Sequence, residues 1–153
     1  MVMGSGGLGP RVGLNGHCLN RTMTDIAGLR RTFPRDDLAG RIIGAFYHVY
    51  DTLGYGHLES IYRNSLAITL RKRGMNVEAE VGLEAWFEGE RVGQFRADLL
   101  VNREIVVEIK SAEAIHGAHL AQLHNYLKIS GKEVGLLFNF GPRPSFKRRS
   151  FER

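Results

Sequence analysis

The sequence predicts an α/β layer protein, a mixed β-sheet flanked by helices. Three observations carry that expectation. Apolar residues recur at helical spacing from Leu38 to Thr69, and the period then drops to two at Val77. After one further helical stretch, Val134 to Phe140 is an almost continuous apolar run. Alternation marks a strand buried on one face, whereas a continuous run fits a strand covered on both.

Each element follows from local pattern. Leu38, Ile42, Phe46, Val49 and Leu53 line one side of a first helix, which Gly54-Tyr55-Gly56 stops. Leu58, Ile61, Tyr62, Ser65, Leu66 and Thr69 line a second, with Gly74 as its C-terminal stop. Val77, Ala79 and Val81 alternate with Glu78 and Glu80, as a strand does. Ala85 to Phe87, Val92 to Val101 and Ile105 to Lys110 read as further strands, broken at Glu88-Gly89 and Asn102-Arg103. Leu120, Leu123 and Leu127 mark a third helix ending at Gly131, and the basic end from Arg143 to Arg153 reads as an edge strand.

At 153 residues and 17.1 kDa the chain makes one domain, and 43% hydrophobic with 24% charged residues excludes wholesale disorder. The single cysteine, Cys18, excludes an intrachain disulfide and a cysteine-based zinc cluster. No apolar run approaches the ~18 residues of a spanning helix. Met1 to Pro10 is glycine-rich and does not read as a secretion signal, so a cytoplasmic, reduced protein is expected. Residues 1–35 hold seven glycines, no sustained periodicity, and five arginines against one acid. They read as a flexible tail, and 36–153 as the folded domain. Most of the net charge of +5 belongs to that tail, because 36–153 holds 16 basic and 15 acidic residues. Overall basicity therefore argues only weakly for nucleic acid.

Chemistry concentrates in Phe95 to Val101 and Ile105 to Lys110, two apolar segments that each carry an acid, Asp98 and Glu108. A carboxylate among buried residues is costly unless it is paired, hydrogen-bonded or metal-bound. Two such carboxylates repel, a hard divalent cation relieves the repulsion, and oxygen ligands select Mg²⁺, Mn²⁺ or Ca²⁺ over zinc. Lys110 shares a strand face with Glu108. An acid–acid–lysine set suits metal-assisted phosphodiester cleavage, with the lysine orienting water and offsetting charge. A strand-end ion pair between Glu108 and Lys110 is the plainer alternative. Glu59 projects at the edge of the second helix's apolar stripe, where a first-turn acid is also favoured by the helix dipole. Gln122 and Tyr126 stand at i and i+4 on the third helix and can reach one site. An odd-length loop, Asn102-Arg103-Glu104, pairs Val101 with Ile105 and sets Asp98 beside Glu108. A two-residue loop turns the two acids to opposite faces.

These blocks resemble a known family. Gly54-Tyr55-Gly56-His57-Leu58-Glu59-Ser60-Ile61-Tyr62 is similar to the signature of the bacterial and archaeal GxxExxY proteins. Arg96 to Val101, Glu108-Ile109-Lys110-Ser111, Gln122 to Leu127 and Gly135 to Gly141 resemble its later blocks in order, over roughly Asp37 to Arg149. That family is placed in the PD-(D/E)XK nuclease superfamily. The resemblance implies a restriction-endonuclease-like core, with Asp98 and Glu108 as metal ligands, Lys110 as the catalytic lysine and Glu59 as the helix-borne acid. Gln122 and Tyr126 match the Gln-x-x-x-Tyr motif of RecB-like nucleases. Ala97 stands where the superfamily name implies proline.

The expected function is thus a Mg²⁺-dependent nuclease acting on DNA, with Mn²⁺ as an alternative metal. Asp98 and Glu108 hold the metal with help from Glu59 and the carbonyl of Ile109. Lys110 positions water, and Gln122 and Tyr126 order the site or the nucleic-acid backbone. The alternatives are a non-catalytic nucleic-acid- or protein-binding module of the same fold, and a structural protein whose acids are satisfied by arginines such as Arg96. No membrane partner is expected, and the small size leaves room for a homodimer or a larger protein partner. His116, His119 and His124 lack the spacing of a ligand pair and read as solvated or packed, with His119 the nearest to a substrate role. Trp86 and Phe87 read as strand packing in preference to base stacking. Arg71-Lys72-Arg73 and Lys147-Arg148-Arg149 read as solvated surface.

Overall fold

The computed structural model describes residues 34–151. In chain order it contains α1 (Pro34–Leu53), α2 (Glu59–Lys72), β1 (Val77–Phe87), β2 (Glu90–Val101), β3 (Ile105–Lys110), α3 (Gly117–Ser130), β4 (Val134–Asn139) and β5 (Ser145–Ser150). The expected tail, residues 1–35, lies outside the described residues except for Pro34 and Arg35, which open α1.

Local chemistry accounts for the helix ends. Pro34 takes the first helical position, where a missing N–H costs nothing, and Asp36 and Asp37 meet the positive end of the helix dipole. Gly54, with φ +69°, closes α1 by donating to the Tyr50 carbonyl at 2.7 Å. Gly131 ends α3 in the left-handed conformation.

The five strands lie in the order β1-β2-β3-β4-β5. β3 and β4 run parallel, joined through α3 as a crossover, and the other three pairs are antiparallel. The mixed sheet expected from sequence is present. Val77 to Phe87 is one strand, not two, and Asn102-Arg103-Glu104 is the three-residue loop that pairs Val101 with Ile105. Asn102 and Arg103 both take positive φ, 50° and 58°.

Two cores cover the sheet. Leu38, Ile42 and Phe46 of α1 and Tyr62, Leu66 and Leu70 of α2 pack on Leu99, Val107, Ile109 and Phe138. Leu123, Tyr126 and Leu127 of α3 pack on the other face, against Leu100, Val106 and Leu137. Phe46 stacks on Phe138 at 4.5 Å and Tyr62 on Phe140 at 4.2 Å, tying both helices to the end of β4.

One irregularity matters for function. Val77 and Leu99 belong to the α1/α2 core, whereas Val81, four residues along β1, and Ala97, two residues back along β2, belong to the α3 core. Same-parity residues change face only where the strand pair rotates. That rotation falls at Glu80, which has φ +53°, between the pairs Ala79↔Leu99 and Val81↔Ala97. β2 leaves β3 at the same level, since their pairing ends at Leu99↔Val107. Asp98 sits at that divergence.

Trp86 and Phe87 are 60% and 64% exposed at the tip of the β1–β2 hairpin. The strand-packing reading of this pair does not hold, because both rings stand largely exposed at the tip.

Candidate active site

Glu108 is the centre of the site. β3 is buried along nearly its whole length, and alternation sends Val106, Glu108 and Lys110 to the α3 face. Glu108 Oε1 receives a hydrogen bond from Gln122 Nε2 at 3.3 Å and lies 3.5 Å from Lys110 Nζ. Its other oxygen, Oε2, is buried without a hydrogen-bond partner. Burial, reinforced by the neighbouring Asp98 charge, pushes the Glu108 carboxyl up to about 8.

Asp98 is brought beside it by the divergence of β2 and β3. Its Oδ2 accepts the Ile109 backbone N–H at 2.7 Å, taking the place of a strand–strand bond that the ladder has ceased to make. Asp98 thus reaches the neighbouring strand through its side chain, not as the directly opposed residue that uninterrupted register implies. Burial raises its pKa, and the Ile109 N–H, Lys110 and Arg63 act against that rise.

Gln122 and Tyr126 meet as their spacing implies. Gln122 Nε2 donates to the Tyr126 hydroxyl at 2.6 Å as well as to Glu108. Tyr126 is buried and packs edge-on against Phe95 at 5.5 Å, and burial raises its pKa.

Glu59 occupies the first turn of α2, and its Oε1 accepts the Ser111 backbone N–H at 3.3 Å. It acts on Asp98 electrostatically but does not join the two acids in a ligand cluster. Among the described residues no three His, Cys, Asp or Glu side chains converge as a ready metal cage.

Several positioning residues carried no role at the sequence level. Tyr62 holds the loop before Glu59, donating to the Gly54 carbonyl at 2.7 Å and accepting the His57 N–H at 3.2 Å. Ser111 Oγ donates to the His57 carbonyl at 3.1 Å, so the end of β3 and the start of α2 are joined twice. Buried Asn139 grips Ala112 with both ends of its amide, each bond 2.9 Å, and a Cβ on Gly141 would run into the Ala112 carbonyl. Arg63, four residues after Glu59 on the same helical face, lies 3.8 Å from Asp98 and 3.5 Å from Glu80. Arg96 pairs with Glu80 instead of Asp98. Tyr62, Ser111, Asn139 and Gly141 lie inside the family-like blocks, whereas Arg63 lies just outside the first of them and carried no sequence signal.

The donor set fits a hard divalent cation. Two carboxylates, one with an oxygen buried without a partner, carry pKa values raised mainly by burial, which Lys110 and Arg63 only partly offset. Mg²⁺ is commonly held by one or two protein carboxylates, with water and substrate oxygens completing its shell, so a third acid is not required.

The family model of the PD-(D/E)XK nuclease superfamily matches residues 36–150. The chain belongs to that superfamily. Among solved structures it is similar to one titled "Crystal structure of SSO0001", at 27% identity and a TM-score of 0.50. That alignment covers 61% of this chain and 50% of the other, so the chain spans about half the length of that relative. No curated protein matches it. No helix of the described residues is long and apolar enough to cross a membrane.

Proposed function

We propose that this chain is a Mg²⁺-dependent nuclease of the GxxExxY type that hydrolyses phosphodiester bonds in DNA, with Mn²⁺ able to replace Mg²⁺. Its catalytic unit is residues 36–153, acting in the cytoplasm. One observation carries the reading. Glu108, buried and lacking a partner for one oxygen, stands beside Asp98 and 3.5 Å from Lys110. A structural role leaves that arrangement unexplained, because an unsatisfied buried carboxyl costs stability and recovers nothing.

Asp98 and Glu108 are the residues that would hold the metal, which would supply Lewis-acid polarisation of the scissile phosphate and activation of water. The remaining work belongs to the chain's own groups. Lys110 orients the attacking water and offsets charge developing on the phosphate oxygens. Gln122 fixes the Glu108 carboxyl so that Oε2 faces the site. Tyr126 holds the Gln122 amide in place from the apolar side. Glu59 sets the position of Ser111, next in chain to Lys110.

The test incubates the protein with plasmid, linear duplex and single-stranded DNA, in Mg²⁺, in Mn²⁺ and in chelator. Divalent-dependent cleavage that Lys110→Ala abolishes is the expected result. Melting curves should rise with Mg²⁺ in the wild type and in Lys110→Ala, but not in Asp98→Asn or Glu108→Gln. Wild-type cleavage by Lys110→Ala would overturn the mechanism.

A further inference from the structure

One polar side chain at the site has no part in that mechanism. His119, Gln122 and Tyr126 stand at i, i+3 and i+7 on α3, one stripe along the helix. Gln122 contacts both Glu108 and Tyr126, so this stripe faces the two acids. His119 is its N-terminal, half-buried member. Burial and the Lys110 and His116 charges lower its pKa, and Glu59 acts on it in the opposite sense.

The backbone also decides which ring nitrogen carries the proton. His119 Nδ1 accepts the His116 N–H at 3.2 Å. A nitrogen that accepts a hydrogen bond carries no proton, so the proton of the neutral ring sits on Nε2. Nε2–H is thereby available as a donor toward whatever occupies the site.

We propose that His119 is a further catalytic residue whose Nε2–H donates to a non-bridging phosphate oxygen of the nucleic acid held at Lys110. The proposal rests on the nuclease reading above and extends its phosphate contacts from β3 to α3. It answers a deficit in the site, since the Lys110 ammonium already lies close to Glu108. Helix capping alone does not require histidine. His119 is at N3, where glutamate and glutamine make the same acceptor contact to the N-cap N–H.

That equivalence supplies the test. His119→Gln keeps the cap acceptor and a donor, His119→Glu keeps the cap but presents an anion, and His119→Ala loses both. Two readouts are taken: cleavage in Mg²⁺, and binding of fluorescein-labelled DNA in chelator, followed by anisotropy. His119→Ala and His119→Glu should lose roughly 10²-fold in kcat/KM, the scale of one oxyanion donor. Both should also bind DNA more weakly than the wild type. His119→Gln should recover a large part of both losses. Melting temperatures of the Gln and Glu variants should match the wild type, and their Mg²⁺-dependent rise should persist. Wild-type cleavage and binding by His119→Glu would reduce His119 to a cap and overturn the proposal. A wild type that binds DNA without cleaving it would break the nuclease reading alone, with the binding loss in His119→Ala still deciding this one.

Discussion

The two faces of β3 solve opposite problems. Ile105, Val107 and Ile109 enter a core built wholly of apolar side chains from α1, α2 and the neighbouring strands. Val106, Glu108 and Lys110, their immediate neighbours in sequence, face α3, where apolar contact gives way to charge toward the strand's C-terminal end. Burial of the first face stabilises the sheet, at about 25 cal/mol per Å² of apolar surface removed from water. The second face holds a carboxyl whose oxygen lacks a partner, a cost in stability that the proposed nuclease role would explain. One six-residue strand therefore anchors the sheet on one face and carries the proposed chemistry on the other, and the alternation of side chains keeps the two apart.

Substitutions on the two faces should separate these roles, and the largest contrast comes first. Lys110→Ala should reduce cleavage by at least about 10²–10³-fold with little change in melting temperature. Phe138→Ala, on the anchoring side, should cost about 3–5 kcal/mol of stability, measured by urea unfolding. A Lys110→Ala variant as destabilised as Phe138→Ala would mean that both faces anchor.

pH should distinguish them next. The Glu108 carboxyl is raised from its ordinary value of 4.5 to about 8 in the folded protein. Between those values the folded chain keeps a proton that the unfolded chain has released. Stability of the metal-free protein should therefore fall as pH rises from about 5 to 8. Glu108→Gln should flatten that slope, and Mg²⁺ should raise the melting temperature more at pH 8 than at pH 6. A metal-free melting temperature that rises across this window would contradict the assigned environment of Glu108.

A smaller effect is expected where the two tasks meet. Asn139→Ala removes both bonds to Ala112 and should cost roughly 1–3 kcal/mol, with cleavage reduced through misplacement of Lys110 and Ser111. Unchanged activity would show that the grip on Ala112 serves the fold alone. The smallest effect is expected from removing residues 1–33, which lie outside the matched family region. Cleavage and melting temperature should both be unchanged, and a lost activity would assign that segment to the site.

Much of this was legible in the sequence. Val77 and Val81, Leu120 and Leu127, and all of the run from Val134 but its last residue, Phe140, fall in the elements that their spacing predicted. The Val101–Ile105 pairing follows from loop length, since a turn fixes the register of its own hairpin. Two features were not legible. Glu78 to Glu84 carries no sign of where the hairpin rotates, because a positive φ at Glu80 answers to packing on both faces and not to a local preference. The exposure of Trp86 and Phe87 depends on which elements pack over the hairpin tip, which no window of sequence contains.

By itself the sequence determined the period of most elements and which side chains share a face within them, and so which residues are candidates for chemistry: Asp98, Glu108, Lys110, Gln122 and Tyr126. Local pattern is enough for that, because side-chain direction repeats every two residues in a strand and about every 3.6 in a helix. Tertiary structure decided how those residues are held. Asp98 reaches the Ile109 N–H because β2 parts from β3, Glu59 settles on Ser111 because Tyr62 ties down the loop before it, and Glu108 Oε2 is left over once Gln122 and Lys110 have taken the other oxygen. Each of these outcomes depends on where elements distant in sequence converge. Twist, register and close packing set that convergence, and none of them is a property of any one segment.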